Sequence, residues 1–196
     1  MKTFEKTLPN GYRQVCQVDA KDRKTIRVIN VINILLFLSV AILLTVLVKH
    51  RTGAYVYEIF GTGIKQYIIL IGILILYVIA HELTHGLAYH SLTKQKLTYG
   101  ISPFATFCGV PEIYTYRQTA LVATLAPFII FSVLFAFAFV ISPFAWKAVW
   151  IIALSTHVGG CTGDLWVAGL LLFKYRDPSL LVNDTGLTLT LYANVD

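Results

Sequence analysis

Long apolar runs separated by short polar segments form the main pattern along this chain. A helix needs about 20 apolar residues to cross the roughly 30 Å hydrocarbon core of a bilayer. Four runs meet that length, at about 28–48, 67–88, 119–141 and 146–173, and the last is interrupted at Gly159-Gly160. The pattern therefore predicts an all-α polytopic membrane protein with four transmembrane helices.

The polar segments at the two ends suggest the domain organisation. Residues 1–27 form a basic tail, residues 28–176 form one four-span membrane domain, and residues 177–196 form a second polar tail. About 25 polar residues precede the first apolar run, and that run is longer than the apolar region of a secretory signal peptide. We therefore expect the first span to be retained in the membrane.

Short stretches of alternating polar and apolar residues predict a few strands beside the helices. Residues 91–118 are polar and mixed, and within them 96–99 and 113–116 alternate in the manner of brief strands. Residues 187–192 of the second tail alternate in the same way. The expected fold is thus four helices with a small strand-containing segment on the cytoplasmic side.

Composition supports a membrane protein and indicates its orientation. The chain is 57% hydrophobic and only 13% charged, whereas soluble domains are nearer a quarter charged. Its net charge of +6 could suggest a nucleic-acid partner. In so apolar a chain, however, we expect the excess of Lys and Arg to set the orientation of the membrane spans. Twelve of the sixteen Lys and Arg residues lie in segments on the same side as the N-terminus. We expect a multi-pass protein of the cell membrane with both termini cytoplasmic and no nucleic-acid partner.

The residues with candidate chemistry form the sequence His81-Glu82-Leu83-Thr84-His85, which ends an uncharged run over 67–80. Positions i and i+4 share one face of a helix, so both imidazoles can bind one metal ion. Glu82 is then placed to act as general base on a water at that metal. This is the HExxH pattern of zinc metallopeptidases, and ionisable groups at membrane depth indicate function.

A catalytic zinc site takes three protein ligands, and the motif supplies two. At 1.5 Å per residue, His81 lies about 21 Å past Tyr67 and Asp164 about 21 Å past Trp150, on spans running in the same direction. We therefore prefer Asp164 as third ligand, since a carboxylate offsets the metal's charge. His157 is the competing ligand, and otherwise it would orient the substrate or stabilise the oxyanion.

Each of these two residues has a structural alternative. Asp164 could cap a helix that restarts after the glycine-rich break at 159–163. His157 could be a hydrogen-bonded interior histidine. The sequence also leaves open whether the metal is Zn²⁺ or another divalent ion.

The order of these motifs resembles the site-2 proteases, which are intramembrane zinc metalloproteases. The HExxH element, a mixed segment, Leu125-Ala126-Pro127-Phe128 at a span and Gly163-Asp164 in the next span follow one another within residues 67–192. The chain is still more similar to a bacterial family of zincin-like membrane peptidases of unknown function. That family shares the Gly-Asp pair and a tail like Asn183-Asp184-Thr185-Gly186.

The resemblance implies cleavage of membrane-embedded or membrane-proximal protein segments, with an Asp late in a span completing the metal site. Two positions depart from the site-2 pattern. The usual Leu-Asp-Gly reads Gly163-Asp164-Leu165, and His157 stands about where that family has an Asn. These departures concern the third ligand and the substrate, and the HExxH element is unaffected.

Three other functions remain open. A haem protein could use His85 and His157 as axial ligands, but Glu82 would then have no role. A metal or proton transporter could use Glu82, Asp164 and His157 as a relay, although four spans without an internal repeat disfavour it. A pseudoprotease that binds metal and partners would carry the same ligands. Substrate identity and oligomeric state are not indicated.

Overall fold

The structure is a computed structural model that describes residues 2–55, 63–101 and 106–195. Part of the predicted polar segment 91–118, and part of the loop between the first two predicted spans, lie outside the described residues. The described part of the chain is mostly helical and also contains antiparallel sheet.

Five α-helices are present in the described part of the chain. They are α1 Arg23–Thr52, α2 Ile64–Thr93, α3 Arg117–Ile141, α4 Lys147–Gly160 and α5 Thr162–Gly169. A short 3₁₀ turn, Phe144–Trp146, leads into α4, and a π-helical turn, Leu170–Lys174, follows α5.

The helices α1, α2 and α3 are long and apolar enough to cross a membrane. They coincide with the first three predicted spans, which are confirmed by length and composition. Only 6% of the most apolar part of α1 is buried inside the protein. The fourth predicted span, 146–173, is not one helix, because α4 ends at Gly160 and α5 begins at Thr162. Four transmembrane helices are therefore not confirmed, and the adjacent glycines explain the interruption through their poor helix propensity.

Within the ranges 2–55, 63–101 and 106–195, seven strands form two antiparallel sheets. Five of them pair in the order β1-β5-β6-β7-β2, and β3 and β4 form a separate hairpin. Their bounds are β1 Phe4–Glu5, β2 Tyr12–Asp19, β3 Thr98–Ile101, β4 Thr106–Gly109, β5 Tyr114–Tyr116, β6 Leu181–Asp184 and β7 Thr188–Asn194.

The predicted strands near 96–99, 113–116 and 187–192 correspond to β3, β5 and β7, so a small strand-containing part is confirmed. The sequence did not predict strands within 1–27, where β1 and β2 lie. Strand β2 carries Arg13, Gln14 and Gln17 at exposed positions, and it forms one edge of the sheet. An edge strand with one polar face lacks the continuous apolar signal of a buried strand.

One compact unit comprises Met1–Val28, Ile79–Pro127 and Gly163–Asp196. In one cluster of this unit, Val167 and Leu171, which follow the helix break, pack with Ala120 of α3 against Val182 and Leu191 of the sheet. This packing fixes α5 and with it Asp164. In a second cluster, Tyr89 of α2 packs against Ala123 of α3 together with Val110 and Ile113, which fixes the part of α2 that carries the histidines.

The other compact unit comprises Ile29–Val78 and Phe128–Thr162. Here α1 and α4 approach closely at Gly159, where a Cβ would lie 2.9 Å from the backbone oxygen of Asn33. A side chain at this position would push the two helices apart. Farther along the same pair, Val48 of α1 packs with Ala148 and Ile151 of α4.

Candidate metal centre

The two motif histidines lie on one face of α2, as their spacing predicts. Helix α2 runs without a break from Ile64 to Thr93, so residues 81 and 85 are one turn apart. Their Nε2 atoms are 3.1 Å apart, and each side chain is only 12% exposed. Both imidazoles therefore point at the same largely buried spot.

Asp164 lies in the first turn of α5, with its carboxylate against both histidines. Its Oδ2 is 3.2 Å from Nε2 of His81, and its Oδ1 is 3.4 Å from Nε2 of His85. The helix begins two residues earlier, at Thr162, so Asp164 is inside the helix and its carboxylate is directed at the imidazoles. The structure thus brings together the three residues that the sequence suggested as ligands.

The spacing of the three donor groups fits a zinc ion. Zinc–nitrogen and zinc–oxygen bonds of about 2.0–2.1 Å in a tetrahedron place neighbouring donors about 3.3–3.4 Å apart. The two Nε2 atoms are 3.1 Å apart, and each faces a different oxygen of Asp164, His81 facing Oδ2 at 3.2 Å and His85 facing Oδ1 at 3.4 Å. With one ligand atom taken from each residue, the three atoms lie within 4.8 Å of one another. Two imidazoles and one carboxylate are also an ordinary catalytic zinc set. His81, His85 and Asp164 form a group that could hold a metal ion.

His85 is oriented from behind by helix α3. Its Nδ1 is 2.9 Å from the backbone oxygen of Ala123. A carbonyl can only accept, so Nδ1 carries the hydrogen of this bond, and Nε2 is the nitrogen that faces His81 and Asp164 and could bind a metal. Metal-binding histidines usually have such a partner on the nitrogen that does not bind the metal, and this partner fixes the tautomer.

Glu82 is held by strand β4. The Thr106 hydroxyl donates a hydrogen bond of 3.0 Å to Glu82 Oε1. Because Glu82 directly follows His81 on α2, this contact fixes the carboxylate beside the metal-binding group. Thr106 was not recognised from the sequence, since it is a single hydroxyl in a segment that gave only a weak strand signal.

The hairpin β3–β4 is seated on α2 through a glycine. A Cβ at Gly86 would lie 1.9 Å from the Tyr99 hydroxyl, so only glycine lets Tyr99 approach here. Tyr99 also hydrogen-bonds the Cys108 thiol, and burial raises the pKa of that thiol to about 12. Cys108 is therefore an inert packing residue rather than a nucleophile. Gly86, one residue past His85, was a signal for this contact that sequence reasoning did not use.

A partly buried carboxylate, that of Asp184 in β6, contacts α2 at Tyr89, one turn beyond His85. The Tyr89 hydroxyl donates to Asp184 Oδ2 at 2.8 Å, and the Gly186 amide donates to Oδ1 at 2.8 Å. Burial raises the pKa of Asp184 above its ordinary value. Asp184 thereby ties the motif helix to the turn between β6 and β7, which explains the Asn183-Asp184-Thr185-Gly186 segment as a structural element.

His157 lies in the unit formed by Ile29–Val78 and Phe128–Thr162, and it is fully buried. Its Nδ1 is 2.9 Å from the Tyr77 hydroxyl and its Nε2 is 3.0 Å from the Ser132 hydroxyl. The Phe128 ring is stacked on it, with an interplanar angle of 23°. These contacts are the surroundings expected of a hydrogen-bonded interior histidine.

A family model described as "Putative zincin peptidase" matches residues 74–177, which is more than half of the chain. The chain belongs to this family. No curated protein and no solved structure matches it. The matched range contains the HExxH element, Thr106, Ala123 and Asp164, and it ends before Asp184. Membership indicates a metallopeptidase of the zincin class, and the zincin class implies zinc.

Proposed function

We propose that this chain is a membrane-embedded zinc metalloprotease, similar to the site-2 proteases, that hydrolyses peptide bonds of membrane or membrane-proximal proteins. The observation that carries this proposal is the convergence of His81, His85 and Asp164 within 3.4 Å of one another, beside a glutamate held by a neighbouring strand. We assign these three residues as the metal ligands and Glu82 as the catalytic base.

The membrane setting is supported by the helices and by the distribution of charge. Helices α1, α2 and α3 could each cross a bilayer, and their large apolar side chains are mostly exposed. The Lys and Arg residues are concentrated in the segments 1–27, 91–118 and 174–196. We propose that the lipid partner is the cell membrane and that both termini are cytoplasmic.

Zinc bound to these ligands would supply a Lewis acid that lowers the pKa of a water molecule and polarises the substrate carbonyl. The Glu82 carboxylate accepts the proton of the attacking water and then donates it to the leaving nitrogen. Thr106 holds Oε1 of Glu82 and so restricts the rotation of the carboxylate. Asp164 contributes negative charge that compensates the cation in a largely buried site.

A substrate-orienting role for His157 remains a prediction from the sequence. Its two ring nitrogens are within 3.0 Å of the Tyr77 and Ser132 hydroxyls, and such contacts also suit a structural residue. A catalytic role requires that His157→Gln lower kcat while zinc content and thermal stability stay at the wild-type level. A loss of stability that accounts for the lost activity would assign His157 to packing.

The hairpin β3–β4 suggests how an extended substrate is presented. A helical peptide hides its carbonyls, so it must be unwound before attack. Among the described residues, β3 and β4 pair only with each other, and Thr106 of β4 contacts Glu82. An extended peptide that adds to an edge of this hairpin would therefore run close to the base.

Strand addition predicts an alternating response to backbone methylation of the substrate. Amides of a strand point alternately towards and away from its partner, so N-methylation should raise KM by about 3- to 10-fold at every second position, the equivalent of one hydrogen bond. Steady-state kinetics with a series of singly methylated peptides measures this pattern. A uniform KM along the series would exclude pairing with the hairpin.

The proposed activity is expected to depend on a tightly bound zinc ion. Purified protein in lipid bicelles should contain close to one zinc per chain, and it should cleave reporter proteins that carry a membrane span. Removal of the metal with 1,10-phenanthroline should abolish cleavage, and added zinc should restore it. Metal analysis and gel-based cleavage assays measure both.

The control is a non-chelating phenanthroline isomer, which should leave cleavage unchanged. Protein that contains haem instead of zinc, seen as a Soret band, would contradict the proposal. Bound zinc without cleavage of any membrane reporter would favour the pseudoprotease interpretation. Zinc transport into proteoliposomes without cleavage would favour a transporter.

A further inference from the structure

Helix α3 contains a proline in its interior, close to the candidate metal centre. The helix runs from Arg117 to Ile141 with Pro127 inside it, and Pro127 is almost completely buried. Proline has no backbone N–H, so the carbonyl four residues earlier loses its helical hydrogen bond, and the ring pushes that carbonyl outwards. The affected carbonyl is that of Ala123.

The Ala123 carbonyl is the group that contacts His85. Ala123 is fully buried, and a buried carbonyl without a partner is costly. Its oxygen lies 2.9 Å from Nδ1 of His85, so the imidazole replaces the missing N–H of residue 127. Both residues belong to the same compact unit as Pro127.

We propose that Pro127 is a positioning residue of the metal centre. By withholding an N–H, it leaves the Ala123 carbonyl directed at His85, and this carbonyl holds His85 in the tautomer whose Nε2 binds metal. The metal-binding part of this inference rests on the proposed function, whereas the effect on the tautomer does not.

A hydrogen-bond acceptor on Nδ1 prepares the His85 imidazole for metal binding in two ways. An imidazole without such a partner populates both neutral tautomers, and in one of them Nε2 carries the hydrogen and cannot bind a metal. It is also free to rotate about its side-chain bonds. A partner on Nδ1 removes both kinds of freedom before the metal arrives, and loss of such a partner typically weakens metal affinity about 10- to 100-fold.

The test is to restore the N–H with Pro127→Ala. The new amide should take the Ala123 carbonyl back into the helix, so zinc affinity should fall by about 10-fold or more while thermal stability of the metal-free protein stays equal or rises. Competition with a chromophoric chelator measures the affinity. The visible bands of the cobalt-substituted protein report on the ligand geometry, and these bands should shift.

A second readout does not need metal. Nitrogen NMR of histidine-labelled, metal-free protein, at alkaline pH where imidazoles are neutral, reports which nitrogen carries the hydrogen. The His85 signal, identified by its absence in His85→Ala, should be that of the Nδ1–H tautomer in the wild type. In Pro127→Ala it should move towards a mixture of both tautomers.

Two variants separate the N–H from other effects of the substitution. Pro127→Gly also restores the N–H but has poor helix propensity, so it should lower zinc affinity to a similar degree if the N–H is responsible. Pro143→Ala changes a proline that precedes the 3₁₀ turn outside α3, and it should leave affinity and tautomer unchanged.

Wild-type zinc affinity and an unchanged His85 tautomer in Pro127→Ala would overturn the inference. If the wild type binds no zinc, and the His85 Nδ1–H tautomer seen in the wild type is lost in Pro127→Ala, the inference is supported and the proposed function is overturned. Lower affinity with an unchanged tautomer and unchanged cobalt bands would assign Pro127 to helix packing and would also overturn the inference.

Discussion

Replacing Asp164 with asparagine is expected to remove zinc from the protein and to leave its fold intact. The amide has the size of the carboxylate but no charge, and it is a poor zinc ligand. We expect zinc affinity to fall by more than about 100-fold, because loss of a residue that merely hydrogen-bonds a metal-ligating side chain typically costs about 10- to 100-fold. Competition with a chelator of known affinity measures the change.

Thermal unfolding gives an independent reading of the same variant. Zinc at 100 times its dissociation constant stabilises a protein that binds it by about 2.7 kcal/mol. The wild type should show this shift and Asp164→Asn should not. Without zinc the two proteins should unfold at similar temperatures, because the amide can still hydrogen-bond the imidazoles.

The matched control is Asp177→Asn, an exposed acid that caps a turn through Ser179. It should bind zinc like the wild type. If Asp164→Asn retained full zinc affinity while His157→Ala lost it, the third ligand would be His157. If both retained it, the set of ligands would have to be sought among other residues.

The three long apolar helices and the position of the histidines were accessible from sequence because both depend on local pattern. An apolar run of sufficient length predicts a span, and i, i+4 spacing places His81 and His85 on one face without knowledge of the rest of the fold. Matched depth on spans of the same direction also suggested the partnership with Asp164, which the structure places 3.2 Å from His81.

The glycine pair at 159–160 already indicated an interruption in the fourth span, but hydropathy measures apolar character and does not tell whether the helix continues through it. The structure has one helix ending at Gly160 and another beginning at Thr162. The contacts that hold Glu82 and His85 in place were not predicted either. Thr106 reaches Glu82 across 24 positions and Ala123 reaches His85 across 38. Contacts of this kind depend on how elements pack, and neither residue type carries a metal-site signal. Pro127 did carry a signal of a different kind, since a proline inside a helix frees the carbonyl four residues earlier for another hydrogen-bond partner.

Replacing Glu82 with glutamine is expected to abolish cleavage while zinc stays bound. Glutamine keeps the shape of glutamate and an oxygen that can accept from the Thr106 hydroxyl, so the local structure should persist. It cannot accept the proton of the attacking water. Loss of a general base typically lowers the rate by about 10²- to 10⁴-fold, so kcat should fall by that factor, with KM and zinc content near their wild-type values.

Glu112→Gln is the matched control, because it is the same substitution at a glutamate that is exposed on a turn after β4. Single-turnover cleavage of a membrane reporter, with zinc content measured on the same samples, separates the base from the metal site. Equal rates in Glu82→Gln and the wild type would exclude Glu82 as the base. Loss of zinc in Glu82→Gln would instead give Glu82 a role in metal binding, because a general base acts on the water and not on the ion.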